Sequence, residues 1–116
     1  MSIALHYSFR PIDYQSPCDA DQISEDRVEQ VYLKFCDLVK FPEWLMRLQN
    51  LTHINISCNA IEHVPPTLAI LKNLNYLDLS DNRLLILPPT LFELTQLRYL
   101  DVAGNFIETL PTGEFE

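Results

Sequence analysis

The sequence predicts an α/β solenoid, a right-handed curved superhelix of stacked coils with a parallel concave β-sheet and short helical or irregular convex segments. Three observations carry this. First, the stretch Leu71 to Glu93, LKNLNYLDLSDNRLLILPPTLFE, returns 23 residues earlier as LQNLTHINISCNAIEHVPPTLAI and 23 residues later as LTQLRYLDVAGNFIETLPTGEFE. Second, its apolar positions form columns: Leu51/Leu74/Leu97, Ile54/Leu77/Leu100, Ile56/Leu79/Val102, Ile61/Leu84/Ile107 and Val64/Leu87/Leu110. Third, an asparagine column (Asn59, Asn82, Asn105) and a proline column (Pro65, Pro88, Pro111) run beside them. A fixed period of this length is the mark of a stacked repeat.

One period further back, Glu25 to Arg47 is a worn copy. Val28, Val31, Leu33, Leu38, Phe41, Pro42 and Leu45 fall on the expected columns, and Cys36 takes the asparagine slot. The shared pattern, LxxLxLxxNxLxxLPxxL, resembles that of the leucine-rich repeat proteins of the 23-residue cytosolic type. The resemblance covers residues 25–116, divided as 25–47 (degenerate), 48–70, 71–93 and 94–116. It implies recognition of a protein partner without naming that partner, because this fold hosts many functions.

Residues 1–24 lie outside the period and read as an N-terminal cap or a mobile tail. Leu5, Tyr7 and Phe9 alternate with polar residues, as in a half-buried strand covering the first coil's open edge. Arg10 to Ser24, with Pro11 and Pro17, reads as a loop. Each coil should then open with a short strand, near 30–33, 53–56, 76–79 and 99–102. Alternation sends Leu77 and Leu79 inward and Asp78 outward. The chain turns at the asparagine, whose amide both donates and accepts and so can satisfy buried backbone groups. Asn59, Asn82 and Asn105 therefore read as structural. The prolines suit the first position of a helical turn on the convex side. That side should be most helical in the first coil, where Glu43 to Leu48 follows Pro42 without a breaker. Trp44 reads as a cover for the apolar seam between coils.

A formal charge of -8 and a pI near 4.7 argue against nucleic acid or an anionic membrane surface as partner, since both attract Lys and Arg clusters. No stretch approaches the roughly 18 apolar residues of a membrane span. Cys18, Cys36 and Cys58 match no disulfide or zinc spacing, and no signal peptide is visible. A cytoplasmic, reducing compartment is the expectation, and the sequons at Asn50 and Asn55 read as incidental. No cofactor or metal is expected. His6, His53 and His63 lack acid, serine or cysteine partners at a catalytic spacing, and Gly104 and Gly113 are the only glycines, so no phosphate-cradling loop exists. The chain reads as a binder and not as an enzyme.

The candidate site is the outward face of the sheet. Its first column is Gln30/His53/Tyr76/Tyr99, its second Tyr32/Asn55/Asp78/Asp101 and its third Lys34/Ser57/Ser80/Ala103. Tyrosines with polar tips bury area at low entropic cost, and paired aspartates invite a basic contact. The partner-binding set is thus His53, Asn55, Tyr76, Asp78, Tyr99, Asp101, Tyr32 and Gln30. Two functions fit. One is an adaptor or regulatory subunit in signalling or scaffolding, presenting this face to a small GTPase, a phosphatase or a scaffold component. The other is a substrate-recognition fragment of a larger enzyme or receptor whose catalytic part lies elsewhere. Glu114 stands where other coils have Leu45, Leu68 and Leu91, so Leu97, Leu100, Val102, Ile107 and Leu110 face no further coil unless Phe115 folds back. Self-association through that coil is a further expectation.

Overall fold

The structure, a computed structural model, describes the backbone of residues 3–6 and residues 27–108 in full. Five parallel strands form one sheet in sequence order: β1 (Ile3–His6), β2 (Val28–Tyr32), β3 (His53–Asn55), β4 (Tyr76–Asp78) and β5 (Tyr99–Asp101). Pairing is in step with the repeat, Gln30 to His53 to Tyr76 to Tyr99 and Tyr32 to Asn55 to Asp78 to Asp101. β1 pairs in parallel with β2, with a bulge between Ile3 and Ala4. The strand at this edge is thus Ile3–His6; Tyr7, Phe9 and the expected loop lie outside the described residues, as do Leu110 and Phe115.

The last three strands are one residue shorter than the alternation suggested, and β2 begins earlier. Beyond each strand the ladder does not stop. The amides of Leu33, Ile56 and Leu79 still donate to the carbonyls of Asn55, Asp78 and Asp101 in the following coil, at 2.7, 2.9 and 2.8 Å. Next comes a residue with left-handed backbone in each coil, Phe35 (φ 59), Cys58 (φ 60), Asp81 (φ 55) and Gly104 (φ 71), and the worn first coil adds a second, Asp37 (φ 56). This conformation costs an L-residue about 1–2 kcal/mol, so only Gly104 adopts it freely. It swings the chain off the sheet just before the asparagine slot.

The asparagines then fasten each turn to the one before it. Asn59 Oδ1 accepts the amides of Cys36 and Leu38 at 2.9 and 3.0 Å, while its Nδ2 donates to the carbonyls of Leu33, Ile56 and Ser57. Asn82 does the same for Ile61 and for Ile56, Leu79 and Ser80. Asn105 serves Leu84 and the carbonyls of Leu79, Val102 and Ala103. The thiol of Cys36, in the slot of the worn coil, makes a long contact to the Lys34 carbonyl at 3.7 Å.

Among the described residues, three 3-10 helices of five residues lie on the convex side: Glu43–Arg47, Pro66–Ile70 and Pro89–Glu93. The expectation that the first coil is the most helical is corrected. Each helix is set by the same device, a proline with φ of -67, -69 or -70 whose carbonyl accepts the amide of Leu45, Leu68 or Leu91. Glu43-Trp44 in place of Pro-Thr changes nothing in length. Those leucines point inward and are buried with Trp44 in one continuous core running from Val28 to Leu94. The core thins in the last coil, where Leu97, Leu100, Val102 and Ile107 are only partly covered. Among the described residues no helix is long and apolar enough to cross a membrane.

Candidate functional site

Parallel strands about 4.8 Å apart bring equivalent side chains of successive coils into contact. In the first column this builds a ring stack. Tyr76 and Tyr99 lie face to face, centroids 4.3 Å apart and planes 5° from parallel, and His53 stacks on the other side of Tyr76 at 5.4 Å and 23°. His53 is held from behind by Thr52, whose Oγ1 lies 2.8 Å from Nδ1. Tyr76 is half-buried between two rings, whereas Tyr99, at the end of the stack, is 42% exposed.

In the second column each polar side chain spends one oxygen on its own strand end. Asn55 Oδ1 accepts from the Ser57 amide and hydroxyl at 3.0 and 2.7 Å, and Asp78 Oδ1 accepts from Ser80 in the same way at 3.0 and 2.6 Å. Asp101 Oδ1 accepts the Ala103 amide at 3.0 Å. These bonds orient the two carboxylates side by side in register. Asp101 Oδ2 takes the Tyr99 hydroxyl at 3.3 Å. That phenol is held above its usual value of 10.0, first by local desolvation and then by the negative potential of Asp101, the neighbouring Tyr76 and Asp78. Tyr32 donates to Gln30 Oε1 at 2.7 Å, so the first coil contributes a tied polar pair instead of a ring to the stack.

All eight predicted contact residues therefore sit on one sheet, but they divide. His53, Tyr76 and Tyr99 form a ring stack beside Asn55, Asp78 and Asp101 in register, whereas Gln30 and Tyr32 bond to each other in the first coil. In the third column Ser57 alone is corrected, at 3% exposed, whereas Ser80, with the equivalent bond to Asp78, is half-buried and Lys34 and Ala103 are exposed. Lys34, its cation at the other end of the sheet, lies 5.4 Å from the Phe35 ring. The sequence reading missed a second exposed group, Leu85, Ile86 and Phe106, in the segments after the asparagine turns. The Phe106 amide donates to the Leu84 carbonyl at 2.9 Å. The signal was there, since Glu62 and His63 hold the places of Leu85 and Ile86 one coil earlier. Among the described residues no group of His, Cys, Asp or Glu could hold a metal ion.

A family model described as "Leucine rich repeat" matches residues 27–84 and 72–116. Among solved structures, a leucine-rich repeat protein of Leptospira interrogans is similar at a TM-score of 0.67 and 27% identity over 71% of this chain. The match takes in 21% of that protein, so the chain spans a small part of its length. No match is found among curated proteins.

Proposed function

Since the chain belongs to the leucine-rich repeat family, whose domains generally mediate protein–protein interaction, we propose that it is an adaptor or regulatory module that captures a protein partner on its concave sheet. The observation that carries this is the joined surface of Tyr76, Tyr99, Asp78 and Asp101. Two carboxylates about 5 Å apart repel by roughly 1 kcal/mol in water and about 3 kcal/mol at an effective dielectric near 20. A Lys or Arg from the partner relieves that repulsion while its stem lies on the Tyr99 ring. A small GTPase, a phosphatase or a scaffold component with a basic contact surface fits these demands. Three cysteines, an odd number that matches no disulfide spacing, support a reducing, cytoplasmic setting. The second reading, a recognition part of a larger enzyme or receptor, is favoured by the much greater length of the similar Leptospira protein.

The test is capture from lysate read by mass spectrometry. Asp78→Asn with Asp101→Asn keeps the turn bonds, as Asn55 shows in its own coil, and should lower capture and flatten its salt dependence. Tyr76→Ala with Tyr99→Ala should lower it further, while Lys72→Ala and Glu93→Ala on the other side should do little. A folded quadruple variant that retains its partner, alongside a convex variant that loses it, overturns the assignment.

A further inference from the structure

Behind the ring stack a hydrogen-bond chain runs from His53 into the neighbouring strand. The Thr52 hydroxyl lies 2.8 Å from His53 Nδ1 and donates to the Glu29 carbonyl of β2 at 3.1 Å, the same carbonyl that takes the Thr52 amide at 2.8 Å. A hydroxyl has one proton to give. With that proton committed to Glu29, the Thr52 oxygen is the acceptor at its other contact, so Nδ1 is the ring nitrogen that carries hydrogen. The lone pair of the neutral ring is then on Nε2, which has no bond among the described residues. Alternation along β3 buries Ile54 and turns His53 to the concave side, where it stacks on Tyr76 at 5.4 Å.

We infer that Nε2 of neutral His53 accepts a hydrogen bond from the same basic group that Asp78 attracts, and that protonation of His53 releases that group. This rests on the concave-face reading and adds to it a specificity residue that responds to acidity. The neighbours of the ring are Gln30 and Tyr32 of β2, bonded to each other, and Tyr76 and Asp78 of β4. Asp78 and, behind Thr52, Glu29 are the carboxylates among them. Histidine is the side chain that ordinarily changes charge between about pH 5 and 8. A second proton on the ring turns Nε2 from acceptor to donor and sets a positive charge beside the partner's own. Nothing has to move, because Nδ1, the Thr52 hydroxyl and the Glu29 carbonyl already point as an imidazolium requires, and the Tyr76 face suits a cation. One strand spacing and two residues separate His53 from Asp78, roughly 8 Å. Two positive charges at that distance loosen binding about twofold in water-like surroundings and about thirtyfold at an effective dielectric near 20.

The probe is a hexa-arginine peptide titrated into the full chain and followed by two-dimensional amide NMR at about pH 7.5 and about pH 5.5. At the higher pH the peptide should shift Tyr76, Asp78 and their neighbours, and at the lower its affinity should fall by about two- to thirtyfold. His53→Gln keeps an acceptor that does not titrate and should abolish this fall. His6→Gln in β1 and His63→Gln outside the sheet should preserve it. Ring nitrogen shifts should report hydrogen on Nδ1 at the higher pH, a preference that Thr52→Val should remove. A neutral ring with its hydrogen on Nε2, or a fall in affinity that survives in His53→Gln, overturns this inference and leaves the concave face standing. Peptide shifts elsewhere, or none, at both pH values overturn the concave-face reading and this inference with it.

Discussion

Replacing Asn82 by alanine removes the best-buried member of the asparagine series, which is 4% exposed. Its Oδ1 is the partner of the Ile61 amide at 3.1 Å, and Ile61 is itself 0% exposed, so no water can take the place of the lost acceptor. An orphaned buried amide costs about 1–3 kcal/mol, and the carbonyls of Ile56 and Leu79 each lose a bond of roughly 1 kcal/mol. The sum is about 3–5 kcal/mol, a large share of the roughly 5–15 kcal/mol available to a small domain. Asn105→Ala is the internal control. Its bonds are equivalent, but it is only half-buried, so water can substitute and the loss should be about 1–2 kcal/mol. Urea unfolding followed by circular dichroism gives both values. Because coils contact only their neighbours, a central break should also lower the slope of the transition as the two halves uncouple. If Asn82→Ala costs no more than Asn105→Ala, the amides are not what couples the coils.

Cys58→Gly should raise stability by up to about 1 kcal/mol, because relief of the left-handed backbone exceeds the added chain entropy of glycine; Gly104→Ala should lower it, since a Cβ there would run into the Asp81 carboxylate. Both are read in the same urea titrations. The difference in ultraviolet absorbance titration between the wild type and Tyr99→Phe should isolate a Tyr99 phenol ionising above 10.0, moved down in Asp101→Asn. Because the folded value is raised, the stability it carries is fully present below 10.0 and is lost as pH climbs through the folded value.

The sheet was legible because a side chain in a strand has only two directions, so Leu77 inward fixes Asp78 outward and the period fixes their neighbours. The asparagine slot was legible because few side chains both donate and accept. The left-handed column was not, since Phe35, Cys58 and Asp81 hide a conformation that only Gly104 advertises. The division of the site was hidden for a related reason. Gln30 and Tyr32 stand in the same columns as the stacked rings and the aspartates, and only coordinates show that they bond to each other.

The backward reach of the asparagines sets an order in time as well as in space. A coil leaving the ribosome can lay its strand beside the previous one at once, yet the Ile61 amide stays open until Asn82, 21 positions later in the chain, has arrived. Every coil is completed by its successor. Maturation therefore advances one coil behind synthesis.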